Sequence, residues 1–258
     1  MGYGHSNLTD KFLKAAEENN AAKAERYLND GAHINASDNH GATALIWAAR
    51  HGNTDFLELL VSRGAEKECV DNLGFTPLLA ALALQHTETA QKMLPLKFNA
   101  AARGGRGETP LHLAAQLGDA GLAAALVAAG ANINAQDNTL MTPLMLAVRA
   151  GKAEAALTLV EMRAAVDAQD ADGRTALMHA ITFGNGDLAK LLVEKGASVS
   201  LCDYRRRNAL DHLRDWESAE MKAAVEKSFM DCVIGQLLDG ANAPIVTRPA
   251  LKLKPRAL

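Results

Sequence analysis

The chain repeats a sequence pattern every 33 residues, and this period constrains its fold more than any other feature. One copy of the pattern, residues 107–137, reads GETPLHLAAQLGDAGLAAALVAAGANINAQD. Its threonine recurs at Thr43, Thr76, Thr109, Thr142 and Thr175, and its leucine recurs at Leu45, Leu78, Leu111, Leu144, Leu177 and Leu210. A glycine nine residues after the threonine recurs at Gly52, Gly118, Gly151 and Gly184, with Gln85 as the exception. Such a chain is expected to stack copies of one structural unit.

Each copy predicts two short helices joined by a tight turn. Thr109 can cap the first helix and Pro110 can start it. Gly118 ends that helix, and the apolar residues between Leu122 and Val127 predict the second helix. Gly130 then ends the second helix at a position that favours a left-handed residue. An aspartate near the turn between copies can accept hydrogen bonds from backbone amides, and it recurs at Asp38, Asp71, Asp137 and Asp170.

Cap, helix-breaking glycine, apolar stripe and turn together resemble the ankyrin repeat closely. The resemblance implies an all-α solenoid of about seven stacked helix-turn-helix units, five full repeats between N- and C-terminal capping units. It covers residues 8–242, with units near 8–37, 38–70, 71–103, 104–136, 137–169, 170–202 and 203–242. We expect residues 1–7 to form a flexible leader. Residues 243–258 contain three prolines and no acidic residue, so we expect a basic, largely unstructured tail.

Composition excludes several classes of function. The net charge of −3 argues against a general binder of polyanions, because such binding needs a basic surface. No apolar run reaches the roughly 18 residues of a membrane span, so we expect no membrane contact. The three cysteines have no paired spacing, which favours reduced thiols in the cytoplasm, or in the nucleus of a eukaryotic cell. We expect the chain to be monomeric when alone.

The sequence shows no catalytic or metal-binding constellation. His112 lies in the TPLH motif, where the resemblance implies that its imidazole ties neighbouring loops together. No carboxylate or nucleophile recurs with the histidines, and no Cys/His spacing resembles a zinc site. The glycines at 104 and 105 lack the lysine and serine of a phosphate-binding loop. We therefore predict a protein that is not an enzyme and that needs no cofactor.

The resemblance to ankyrin repeats also implies where a partner binds. In that family, recognition usually falls on the turns between units, called fingers, and on the exposed side of the first helices, which together form a concave groove. Residues four apart on these helices share a face. The predicted partner-binding residues are Trp47, His51, Leu73, Phe75, Leu84, Arg106, Leu117, Met141, Phe183, Tyr204, Arg205 and Arg207.

Two features of that groove each have two interpretations. The first is an apolar patch made by Leu73, Phe75, Leu84, Leu117 and Met141, which either contacts a partner or is buried between units. The second is a pair of arginine-bearing fingers, which either hold acidic groups of a partner or are simply a solvated edge. These fingers contain Arg103, Arg106, Arg205, Arg206 and Arg207.

The finger at residues 103–107 replaces the usual aspartate turn with the string RGGRG. We expect this basic, glycine-rich loop to be mobile. By its position in the repeat, Glu108 beside it is predicted to be a finger residue available to a partner.

The function favoured by these features is binding of another protein through the groove, as a scaffold, adaptor or regulator. In a sharper form of this hypothesis, the domain inhibits an enzyme by laying its fingers across the active site. The alternative is a nucleic-acid-associated regulator whose arginine fingers and basic tail contact phosphate. Binding that weakens steeply with added salt would favour this alternative.

Overall fold

The computed structural model describes residues 3–214, together with Lys227 and Met230. Within residues 3–214 there are thirteen α-helices, with these bounds: α1 Tyr3–Glu17, α2 Ala21–Asn29, α3 Ala44–Arg50, α4 Thr54–Ser62, α5 Pro77–Ala83, α6 Thr87–Met93, α7 Pro110–Leu117, α8 Ala120–Ala128, α9 Pro143–Arg149, α10 Ala153–Glu161, α11 Ala176–Thr182, α12 Gly186–Glu194 and α13 Ala209–Arg214. The remainder of the unit at 203–242 and the tail at 243–258 lie outside the described residues.

Consecutive helices pair within each unit, and the units stack in sequence order. The first helices of the units form an inner row, from α1 to α13, in which each helix packs against the next. The second helices, from α2 to α12, lie on the outer side of this row. This arrangement confirms the predicted all-α repeat solenoid. Helix α1 begins at Tyr3, so residues 3–7 extend it at the place where a flexible leader was expected. In the portion that the structure describes, no helix combines the length and apolarity needed to cross a membrane.

The recurrent threonines cap the inner helices as their position predicts. The side chains of Thr43, Thr76, Thr142 and Thr175 each accept a hydrogen bond from the amide three residues on, at 3.3–3.4 Å. In the unit at 104–136 the cap is different, because Nδ1 of His112 lies 2.8 Å from the Thr109 hydroxyl. Nε2 of His112 lies 2.9 Å from the carbonyl oxygen of Met141 in the next finger. This contact confirms that the TPLH histidine ties neighbouring loops together.

A single hydrophobic cluster runs through the stack from Phe12 to Leu213. The recurrent leucines from Leu45 to Leu177 are at most 1 % exposed, whereas Leu210 in α13 is 39 % exposed. Burying one leucine side chain contributes about 2 kcal/mol. Alanines fill the contacts between inner helices, which allows those helices to approach closely. Since each unit buries its apolar faces on its neighbours, the core is linear rather than central.

The positions that lack the expected glycine still adopt its backbone conformation. Gln85, Lys97 and Arg163 have φ angles of 65°, 61° and 68°, in the left-handed region. An L-residue with a side chain is disfavoured there by about 1 kcal/mol relative to glycine. The repeat geometry therefore determines these turns even where the sequence departs from the pattern.

The finger aspartates hold the turns between units, as the sequence predicts. One carboxylate oxygen of each accepts hydrogen bonds from the amides two and four residues on, at 2.8–3.0 Å. These aspartates are Asp38, Asp71, Asp137, Asp170 and Asp203. Two amides that would otherwise lack partners are satisfied at each of these five fingers, so they are fixed rather than loose loops.

The finger that lacks an aspartate uses Glu108 instead. A Cβ atom on Gly104 would lie 2.8 Å from the carboxyl carbon of Glu108, so the glutamate side chain occupies the space of the missing aspartate. Its carboxylate accepts a hydrogen bond of 2.9 Å from the Arg106 amide. Glu108 is only 6 % exposed, which corrects the expectation that it is available to a partner. The loop expected to be mobile has a turn bond like those of other fingers, from the Gly107 amide to the Gly104 carbonyl.

Backbone hydrogen bonds also join one finger to the next. The amides of Asn72, Asn138, Ala171 and Tyr204 each donate to a carbonyl of the preceding finger at 2.9–3.0 Å. Between the second and third fingers, residues 71–75 and 104–108, no such bond is formed. Gly105 instead approaches this neighbour closely, because a Cβ there would lie 2.6 Å from the Leu73 carbonyl oxygen. The fingers thus form a continuous row with one interruption.

Candidate functional site

The fingers and the exposed side of the inner helices form one surface, which we call the groove face. Among the predicted binding residues on it, the side chains fall into three classes. The exposed ones are Leu73, Leu84, Arg106, Phe183, Tyr204 and Arg205. The half-buried ones are Trp47, His51, Phe75, Leu117 and Arg207. Met141 is only 4 % exposed and belongs to the core, so it cannot offer its side chain to a partner.

The predicted apolar patch is therefore smaller than the sequence suggests. Phe75 packs against the small buried cluster of Ala42, Ile46 and Ala80. Leu117 packs partly against the main core. Leu73 and Leu84 remain 68 % and 53 % exposed, and they are the part of the patch that faces solvent. Burial between units thus accounts for Met141 and in part for Phe75 and Leu117, whereas Leu73 and Leu84 are left accessible to a partner.

The pairs predicted four residues apart on the inner helices do share a face. The rings of Trp47 and His51 stack with their centroids 5.9 Å apart, and those of His179 and Phe183 stack at 6.2 Å. The Trp47 indole donates to Asp38 at 2.8 Å, and the Arg50 guanidinium lies 4.7 Å from the centre of its ring. The aromatic side chains on this face are consequently held in place before any partner arrives.

In four of the finger aspartates, Asp38, Asp71, Asp170 and Asp203, the second carboxylate oxygen takes a side-chain partner. Asp170 pairs with Nε2 of His179 at 2.7 Å, and Asp203 pairs with Nε2 of His212 at 3.1 Å. Both histidines are nearly buried, and burial lowers their pKa below the usual value of 6.5. At neutral pH each therefore carries its proton on Nε2 and donates it to the aspartate.

Among the described residues, the arrangement nearest to a catalytic one joins Asp203, His212 and Thr182. Nδ1 of His212 lies 3.4 Å from the Thr182 hydroxyl oxygen. A nucleophilic hydroxyl would have to give its proton to the imidazole. The Thr182 hydroxyl instead donates to the Met178 carbonyl at 2.8 Å, within its own helix. The three residues therefore form a structural network between α11 and α13.

This face also carries two arginines outside the predicted set of binding residues, Arg149 at the end of α9 and Arg174 in the finger before α11. Arg149 is exposed, while Arg174 is half-buried and its Nε atom is buried without a hydrogen-bond partner. Both raise the positive potential around His179 and, after burial itself, help to lower its pKa. The sequence does distinguish this unit, because His179 stands where an earlier unit has Ala80. It does not show which of the neighbouring groups binds Asp170.

Comparison with models of protein families agrees with this geometry. A comparison with curated proteins found no match. The family model of ankyrin repeats matches residues 12–101, 45–137, 95–170 and 111–203, which together span most of the chain. Proteins of this kind are generally modules for protein–protein interaction and are typically not catalytic. The chain belongs to the ankyrin-repeat family.

Proposed function

We propose that this chain binds another protein through the groove face, as a scaffold, adaptor or regulator without catalytic activity of its own. The observation that carries the proposal is the distribution of exposed apolar side chains. Between residues 8 and 213, every exposed large hydrophobic side chain lies in a finger or next to one, or in an inner helix or at its C-terminal cap: Val70, Leu73, Leu84, Leu140, Phe183, Tyr204 and Leu210.

The outer helices of the described chain bury or half-bury their large apolar side chains, although they too face solvent on one side. Exposed apolar and aromatic groups concentrated on one face favour interaction with a partner, because their burial provides the driving force for association. Tyr204 and Phe183 are 74 % and 51 % exposed, and aromatic residues are enriched at such interfaces.

The backbone of the groove face supports the same proposal. Each finger is held by a carboxylate in its own turn, and most fingers are hydrogen-bonded to their neighbours. A partner that binds such a surface orders few additional residues, so less conformational entropy opposes association.

The proposal is tested by affinity capture from a native lysate with wild type and a Leu73→Ala/Leu84→Ala/Phe183→Ala variant. The matched control, Leu59→Ala/Val127→Ala/Leu191→Ala, removes half-buried apolar surface from three outer helices. We expect a protein retained by wild type and by the control to be lost by the groove variant, with the helical circular dichroism signal preserved. Equal capture by all three proteins would contradict the proposal.

We also propose that the protein acts in a reducing compartment, the cytoplasm. The two described cysteines, Cys69 and Cys202, are free thiols. Cys69 is half-buried against the Thr43 hydroxyl at 3.2 Å, and burial raises the pKa of its thiol. Labelling with a thiol reagent in intact cells would contradict this assignment if it showed the cysteines oxidised.

A further inference from the structure

The carboxylate of Asp170 does not bind Arg149 or Arg174, although the equivalent arginines of other units bind a finger aspartate. In the second finger, the equivalent aspartate, Asp71, binds the guanidinium of Arg50 from the preceding inner helix. Arg149 stands three repeats after Arg50, at the same position of its helix, and would be expected to bind Asp170 in the same way. It does not, and that oxygen of Asp170 is bound instead by His179 at 2.7 Å.

Arg174 does not bind the Asp170 carboxylate either. Its equivalent in the next unit, Arg207, contacts the Asp203 carboxylate at 3.3 Å, although His212 also binds that oxygen. No carboxylate in the described part of the chain lies within salt-bridge distance of Arg174 or of Arg149. The Nε atom of Arg174 is buried and makes no hydrogen bond. Leaving a buried donor of a charged group unsatisfied is unfavourable.

We propose that Arg149 and Arg174 form a receptor for carboxylate side chains of an acidic segment in a partner protein. This inference rests on the proposed function and specifies the chemistry of the partner. Guanidinium groups bind carboxylates through paired hydrogen bonds, and the exposed part of the half-buried Arg174 and the exposed Arg149 would both offer donors to a partner carboxylate. Phe183, stacked on His179 and 51 % exposed, provides an apolar contact beside the charged groups.

A protein carboxylate fits this site better than a nucleic-acid phosphate. The exposed Asp172 lies in the same finger as Arg174, so the basic area does not continue along that finger, as a long phosphate backbone would require. The whole chain has a net charge of −3, so its overall charge does not favour sequence-independent phosphate binding. A local pair of cations with an apolar neighbour suits an acidic segment that also carries an apolar residue.

His179 acts in this site as a positioning residue. By occupying Asp170, its imidazole keeps the carboxylate from neutralising Arg149. Replacing it with alanine recreates the combination found in the earlier unit, where Ala80 accompanies the Arg50–Asp71 ion pair. In a His179→Ala variant we therefore expect Arg149 to bind Asp170 and to become less available to a partner.

Fluorescence anisotropy measures the affinity of the full chain for a short fluorescein-labelled peptide. In this peptide, glutamate residues alternate with serine residues that have leucine beside them. A matching peptide with glutamine in place of glutamate reports binding that does not need the carboxylates. We expect wild type to bind the glutamate peptide about tenfold or more tightly than the glutamine peptide. An Arg149→Gln/Arg174→Gln variant should lose this preference, and His179→Ala should reduce it.

The control for charge is Arg26→Gln/Lys195→Gln, which removes two exposed cations from the outer side of the solenoid. It should bind the glutamate peptide as wild type does. Equal affinity of wild type and the arginine variant would overturn the inference, and so would an equal loss in the control. Tighter binding of a single-stranded thymidine oligonucleotide that depends on the same arginines would assign them to phosphate and would also overturn it.

The two proposals can fail separately. If the arginine variant still captures the lysate protein that the Leu73/Leu84/Phe183 variant loses, and the peptides are not distinguished, the groove face binds a partner without this receptor. If the groove variant captures every protein that wild type does, the proposed function itself is contradicted.

Discussion

In the finger at residues 104–108, the carboxylate that holds the turn lies at the last position instead of the first. This assignment can be tested by moving the carboxylate back. We predict that Gly104→Asp and Glu108→Met are each destabilising but nearly neutral together. The double substitution recreates the residues of the next finger, where Asp137 holds the turn and Met141 is buried. The outcome depends on whether Glu108 truly replaces a finger aspartate.

The magnitudes follow from the contacts. Glu108→Met removes the acceptor of the Arg106 amide at 2.9 Å, which should cost about 1–2 kcal/mol of unfolding free energy. The ion pair of Glu108 with Arg106, at 3.8 Å and with an exposed arginine, adds little. Gly104→Asp places a Cβ atom 2.8 Å from the Glu108 carboxyl carbon and sets two carboxylates side by side, which should cost about 2–3 kcal/mol. In the double variant both penalties disappear.

The assay is equilibrium urea unfolding of the four proteins, followed by circular dichroism. We expect a coupling free energy of about 3–5 kcal/mol between the two sites, at or above the upper end of values for residues in contact. The slope of unfolding free energy against urea should stay constant, since a change would signal partial unfolding of the solenoid. Additive effects, with the double variant as unstable as the sum of the singles, would refute the assignment of Glu108.

Three further outcomes are expected. Arg163→Gly should raise the unfolding free energy by about 0.5–1 kcal/mol because Arg163 has a φ of 68°, while Gly130→Ala, at φ 97°, should lower it by a similar amount in the same urea titration. Arg174→Met should raise stability by about 1 kcal/mol, by removing a buried unpaired donor, yet weaken binding of the glutamate peptide; lower stability would contradict this account. Burial lowers the pKa of His179 and His212 below 6.5, so the unfolded chain binds protons more readily than the folded one. The stability that the neutral histidines contribute is complete above pH 6.5 and is lost as the pH falls from 6.5 through the folded pKa values, by up to ~1.4 kcal/mol per pH unit and histidine. Urea midpoints measured across this range should fall with pH in wild type and less in His179→Gln/His212→Gln.

The repeat architecture could be predicted from sequence because its determinants are local. The Thr43 side chain accepts a hydrogen bond from the amide three residues on, and the Asp38 carboxylate accepts one from the amide four residues on. The imidazole of His112 reaches only to the next finger. The threonine and aspartate contacts recur at a fixed spacing, so a period of 33 residues is enough to identify them.

The candidate site could be predicted only in part, because it depends on competition between residues of different units. Asp170 can be reached by Arg149, Arg174 or His179, and the pattern does not say which of them binds it. Burial of Met141 likewise follows from how a finger folds against its neighbour. Glu108 carries the same charge as an aspartate but attaches four residues later, which a comparison position by position does not recognise.

The interruption in the row of finger hydrogen bonds, between residues 71–75 and 104–108, has a consequence for how the solenoid opens. Units of a repeat protein unfold as cooperative blocks whose boundaries are the weakest junctions between neighbours. We therefore expect the two fingers N-terminal to the interruption and the four C-terminal to it to open as separate blocks. The exposed leucines Leu73 and Leu84 lie in the first block, and Arg149 and Arg174 lie in the second. A partner that contacts both would act as a clasp across the boundary and suppress the opening motion at that junction.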